Sequence, residues 1–155
     1  VDVRVAQDRR ARAVLVPVGL EVALERELAA RVGADRLRRR RLVRAPRRLV
    51  FDAFTQPDLV RRWLLGPPGH EMITCDVELH VGGGFRYAWR RTATGEVLRL
   101  EGEFLEIDAP DRIVHAEQFD MSDMRDPTPM GERTVVTTTF VEAGGVTTVT
   151  LRCAY

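Results

Sequence analysis

Hydrophobic positions change their period once along this chain, from three or four residues to two, near residue 70. In the first half, Leu20, Ala23, Leu24, Leu28 and Val32 follow Pro17 at helical spacing, which predicts an amphipathic helix over about 18–32 ending at Gly33. Ahead of it, Val3, Val5, Val14 and Val16 fit a short strand or an irregular arm. Residues 38–45 read as a strand before Pro46. Two short helices come next, one over 47–55 carrying Leu49, Val50, Ala53 and Phe54, the other over 59–65 carrying Val60, Trp63 and Leu64. The run Gly66-Pro67-Pro68-Gly69 breaks the second helix.

Beyond that break the apolar positions alternate. A strand is expected over 70–81, a turn at Gly82-Gly83-Gly84, and a strand in which Phe85, Tyr87 and Trp89 share one face and Arg86 and Arg90 the other. Further strands are expected over 97–107 (Leu98, Leu100, Gly102 and Phe104 on one face), 112–119, 134–141 and 146–155, with 120–131 as a loop. The order of strand, two short helices and six meandering strands predicts an α+β domain with a curved antiparallel sheet. Such a sheet, apolar on one face, needs a helical cover.

Length and composition fit one soluble domain. The 155 residues are 45% hydrophobic and 30% charged, with no apolar run near the roughly 20 residues that cross a bilayer. With a charged start at Asp2 and Arg4 and no apolar signal core, the expected location is cytoplasmic and no membrane partner is expected. Charge is uneven: residues 1–48 hold 14 arginines against 6 acids, and residues 49–155 hold 10 against 17. The arginine run from Arg36 to Arg48 could bind phosphates, but the opposite charge of the second half favours pairing within the molecule and argues against a nucleic-acid partner. Cys75 and Cys153 lie in strand-like runs and read as buried free thiols. The three histidines lack metal-ligand spacing, the glycine run opens no helix, and no serine sits in a nucleophile elbow, so no metal and no cofactor is expected.

The segments APRRLVFDAFTQPDLVRRW (45–63), LGPPG (65–69), DVELHVGGGFRYAWR (76–90), EGEFLEIDAPDRIVHAEQFD (101–120) and TTTFVEAGGVTTVTLRCAY (137–155) carry a family resemblance. Together they resemble the AHSA1-like (activator of Hsp90 ATPase homologue 1-like) branch of the START/Bet v 1-like SRPBCC superfamily. The resemblance implies a helix-grip fold of about seven strands, with two short helices closing one end of a cavity. In many relatives it also implies binding of small hydrophobic molecules, without a shared catalytic set. Relatives continue past the last strand into a long helix lying in the sheet's concavity, whereas this sequence stops at Tyr155. The expected organisation is an extension over 1–36 and the START-like domain over 37–155. Either the helix at 18–32 replaces the usual one, in its own sheet or a partner's as a homodimer, or the sequence is a shortened piece.

Strand alternation nominates Phe85, Tyr87, Trp89, Leu98, Leu100 and Phe104 as the wall of a ligand cavity, joined by Trp63, Leu64, Leu65, Met72 and Phe119. Val149, Leu151 and Cys153 would line the far side. The competing reading is a solid core, since aromatic stripes at period two also serve packing. The polar candidates are Tyr87, Glu101, His115 and Glu117. His115 and Glu117, two apart, share a strand face: inward they would form an acid–base pair in an apolar cavity, and outward a surface ion pair over inward Val114 and Ala116. Ile113 and Phe119, of the same parity, argue for inward. The leading expectation is non-catalytic binding of a small apolar molecule. The rivals are a polyketide cyclase or aromatase type of enzyme using His115, Glu117 or Tyr87, and an Hsp90 co-chaperone-like interaction module.

Overall fold

Phe85, Tyr87 and Trp89 all point to the concave side of one antiparallel sheet, and the rest of the fold is arranged to cover them. The computed structural model describes residues 36–123 and 133–154. Within them the chain forms β1 (Arg36–Val43), α1 (Arg47–Thr55), α2 (Pro57–Trp63), β2 (His70–Val77), β3 (Gly84–Arg91), β4 (Val97–Asp108), β5 (Arg112–Asp120), β6 (Thr134–Ala143) and β7 (Val146–Ala154). The seven strands lie in the order β1-β7-β6-β5-β4-β3-β2. This is the curved sheet with two short helices expected of a helix-grip fold. The helix expected over 18–32, and with it the question of what it covers, lies outside the described residues.

Because β1 and β2 are the two edges of the sheet, the chain between them has to span its concave side. α1 packs near β6 and β7, and α2 near β2. Aromatic edges hold them there: Phe51 and Phe54 meet Phe140 of β6 with ring centroids 5.6 and 5.3 Å apart. The Trp63 indole N–H donates to the Ala53 carbonyl at 2.8 Å, tying α2 to α1. The buried Thr147 hydroxyl donates to the Ala45 carbonyl at 2.7 Å, fixing the entry into α1. Pro46 offers no capping side chain, and Glu142 of β6 accepts from the first free N–H of α1, that of Arg47, at 2.8 Å.

Two boundaries differ from the sequence expectation. α2 begins at Pro57 and ends at Trp63, not over 59–65, because a proline in the first helical position gives up only an N–H that no helix partner would accept. β2 ends at Val77, short of 81, because Glu78–Gly83 fold into a turn in which the Gly83 N–H donates to the His80 carbonyl at 2.8 Å. Irregularities in the ladder, between Met72 and Thr74 and between Phe104 and Glu106, add curvature where the sheet wraps around its core. Of the arginine run, Arg47 pairs with Asp111 and Arg48 with Asp52, while Arg38 and Arg40 stand exposed on the edge strand, where charge discourages pairing with other strands. No described helix is long and apolar enough to cross a membrane.

Candidate functional site

The floor of the concave side is set by a residue with no side chain. Gly102 on β4 lies between Phe85 on β3 and Glu117 on β5. The Phe85 ring lies over it: a methyl group at Gly102 would stand 2.2 Å from Phe85 Cζ and 2.8 Å from the Ala116 carbonyl oxygen. Phe85 stacks on Tyr87 at 5.1 Å and leans on Phe104 at 5.5 Å. Trp89 closes the other end of this aromatic row. Its indole N–H donates to the Leu64 carbonyl at 2.9 Å, and its ring rests against Gly66, which adopts φ +76 and where a Cβ would fall 2.4 Å from the indole. The Gly-Pro-Pro-Gly break thus does more than end α2, because its first residue has to be glycine for the tryptophan to reach the loop.

Between this row, the two helices and the far strands lies a cavity of about 130 Å³. Its wall includes Phe54, Val60, Trp63 and Leu64 from the helical side, Phe85, Tyr87, Trp89, Leu98, Leu100 and Phe104 from β3 and β4, and Ile113, Phe119, Val136, Thr138 and Leu151 from β5 to β7. Gly66 and Pro67, both partly exposed, stand at its rim. A volume this size exceeds that of a few water molecules and approaches that of cavities that hold one benzene ring, about 150 Å³.

Of the residues nominated from sequence, Trp63, Leu64, Phe85, Tyr87, Trp89, Leu98, Leu100, Phe104, Phe119 and Leu151 lie in this wall. Met72 does not: it stands opposite Trp89 on the edge strand β2, half-buried against the core but outside the cavity wall. Leu65 is 60% exposed, and Val149 and Cys153 are buried in the core away from the cavity. Glu101 points to the outer face, next to Gly102 in the alternation, and is exposed. Phe54, Val60, Ile113, Val136 and Thr138 are wall residues outside the nominated set. Phe140, fixed inward by α1, sets the parity that brings Val136 and Thr138 in with it.

His115 and Glu117 both face inward. His115 Nε2 and Glu117 Oε2 share a hydrogen bond of 2.8 Å, and Glu117 is 6% exposed. The imidazole is fenced by Phe85, edge to face at 5.1 Å, and by Phe104 at 6.4 Å. Val114 and Ala116 are also buried, but on the opposite side of β5, where they stand across from Glu106 and Glu103. The cavity therefore contains one imidazole–carboxylate pair in aromatic surroundings, an arrangement able to exchange a proton with a bound molecule.

Tyr87 supplies a second polar point. It is 8% exposed and lines the cavity, and its hydroxyl hydrogen-bonds to none of the described residues. Burial pushes this hydroxyl well above the ordinary value of 10.0, and the neighbouring Cys75 adds to the shift. The phenol keeps its proton at any physiological pH. The Cys75 thiol is raised by burial too, with Arg61 opposing, which disfavours the reactive thiolate. Cys75 and Cys153 are both free and buried. Among the described residues no group of three His, Cys, Asp or Glu side chains gathers as a metal site would require.

Comparison with known proteins agrees with this architecture. A solved structure from Rhodobacter sphaeroides is similar at 28% identity and a TM-score of 0.67, over 78% of this chain and 72% of that one. A solution structure from Staphylococcus epidermidis is similar at 29% identity and a TM-score of 0.64, over 78% and 71%. An HSP90 activator from Plasmodium falciparum shares the fold at 22% identity and a TM-score of 0.52, over 78% and 73%. We find no match among curated proteins. The family model described as "Activator of Hsp90 ATPase homolog 1-like protein" matches residues 44–154, and the chain belongs to that family.

Proposed function

We propose that the domain binds a small, largely apolar molecule in the cavity between its helices and the concave face of its sheet. The observation that supports this most directly is the cavity itself, about 130 Å³ with an aromatic wall, a rim at Gly66 and Pro67, and a few polar groups inside. A solid core would fill that space, since core cavities are destabilising in proportion to their size. Burying one aromatic ring contributes roughly 4–6 kcal/mol, so a one-ring ligand should bind with a Kd on the order of 0.04–1 mM. Two measurements test the proposal. Native mass spectrometry of gently purified protein should show an added small mass that the denatured protein lacks. Titration with single-ring aromatics, followed by amide NMR, should move signals of Phe85, Trp89, Leu100 and His115 together. Absence of any bound mass, with shifts that are nil or scattered over the surface, would overturn it.

The inward His115–Glu117 pair favours a second reading, in which the bound molecule also exchanges a proton with the pair. Hydrogen–deuterium exchange at the carbon next to the carbonyl of a bound ketone, faster with wild type than with Glu117→Gln, would support it. Activation of Hsp90 is said of the Plasmodium falciparum neighbour, and at 22% identity that likeness is one of fold.

A further inference from the structure

Tyr87 has the only phenolic hydroxyl in the cavity wall among the described residues, and it is placed where an apolar ligand alone would leave it unpaired. The side chain projects from the middle of β3, in register with Leu100 on one side and Cys75 on the other. The ring is fixed: it stacks on Phe85 at 5.1 Å and stands 6.3 Å from Trp89. The packed ring therefore keeps the hydroxyl at the cavity wall. Nor do the described residues offer it a carbonyl, as they do for both tryptophans, each of which donates to a backbone oxygen within 3 Å: Trp63 at 2.8 Å and Trp89 at 2.9 Å. Three buried aromatic residues with polar tips line one cavity, and two of them are satisfied internally. A buried tyrosine hydroxyl normally finds a partner, and an unpaired one is destabilising.

We infer that the cavity is selective for a single-ring aromatic molecule carrying one hydrogen-bond acceptor, which receives the Tyr87 hydroxyl. This rests on the binding reading above and adds the chemical class of the ligand. Size points to a single ring, because about 130 Å³ is close to the volume of a cavity that holds one benzene ring. The aromatic wall gives its apolar character. Tyr87 gives the acceptor: a phenol that stays protonated donates, so a carbonyl oxygen suits it. His115 and Glu117, on the far side of Phe85, already hold one another, so the acceptor preference belongs to Tyr87.

The test uses the full chain and two probes of nearly equal volume, acetophenone and cumene, titrated by NMR against wild type and Tyr87→Phe. Cumene leaves water more readily than a ketone does, so the readout is the change in the ratio of the two affinities. The acetophenone-to-cumene affinity ratio should be roughly 3–10-fold higher in wild type than in Tyr87→Phe, the range expected of one net hydrogen bond. A ratio that Tyr87→Phe leaves unchanged would place the polar contact elsewhere and overturn the inference while leaving the binding reading standing. Failure of both probes, and of smaller rings such as benzene, to bind wild type would overturn the binding reading and the inference with it. If Tyr87→Phe folds poorly, the infrared carbonyl stretch of acetophenone bound to wild type decides: a hydrogen-bonded carbonyl absorbs at lower wavenumber than the ketone in hexane, and an unshifted band would overturn the inference.

Discussion

The ring of Phe85 occupies the space that a side chain at Gly102 would need, with a Cβ there falling 2.2 Å from the ring. One strand contributes a void and its neighbour fills it, and the floor of the cavity lies at that junction. Gly102→Ala should therefore force Phe85 off its rotamer and destabilise the fold by about 1–3 kcal/mol, the usual range for overpacking a core. Thermal or denaturant unfolding would measure it. An unchanged midpoint would show that Phe85 has somewhere else to go.

Tyr87→Phe removes a hydroxyl without changing the ring. Because that hydroxyl meets no described partner, its loss should leave the ligand-free protein as stable as before or more stable, by about 1 kcal/mol. Denaturant unfolding checks this, and a loss above about 1 kcal/mol would mean the hydroxyl has a partner.

Alkaline pH should weaken the fold through the same residue. Burial raises the Tyr87 hydroxyl above 10.0 in the folded chain, while the unfolded chain ionises near its ordinary value. Above about pH 10 the unfolded state then holds fewer protons than the folded one, so stability falls as pH rises, by at most about 1.4 kcal/mol per pH unit for this group. Below that pH Tyr87 contributes no slope. The buried Cys75 thiol, raised from 9.0, acts in the same direction from slightly lower pH. Stability measured from pH 8 to 11 should decline less steeply in Tyr87→Phe than in wild type, and parallel curves would exclude Tyr87 as a cause.

For His115 and Glu117, the change that removes the partner should matter more than the change that removes the charge. Glu117→Ala leaves the imidazole Nε2 facing a void and should destabilise by about 1–3 kcal/mol. Glu117→Gln keeps an acceptor at the same reach and should lose less. If the two variants unfold at the same midpoint, the 2.8 Å hydrogen bond contributes nothing to stability.

Much of this site can be read directly from sequence, for a specific reason. Phe85, Tyr87 and Trp89 alternate without interruption, so their shared face follows from strand geometry alone, and Leu98, Leu100 and Phe104 follow in the same way across the ladder. Met72 shares the face of Trp89, which it opposes, and only the edge position of β2 keeps it out of the cavity wall, a placement that leaves no mark in the apolar pattern. The orientation of β5 was ambiguous because Val114 and Ala116 are as apolar as a core face should be, and both sides of that strand are in fact buried. Val136 and Thr138 are hidden by the neighbouring Val135, and only the docking of α1 on Phe140 fixes which parity points in. The glycines are the least legible part, since Gly66 and Gly102 matter for the rings that approach them from elsewhere in the fold.

The chain contains two tryptophans, and both stand in the cavity wall with their N–H groups engaged. Their fluorescence consequently comes almost entirely from the site in question. Emission should be blue-shifted in the free protein, as befits indoles held away from water, and a carbonyl-bearing guest lodged among them should quench it. The domain is thus its own optical sensor, and a plate reader with no added dye can screen a chemical library for whatever the cavity accepts.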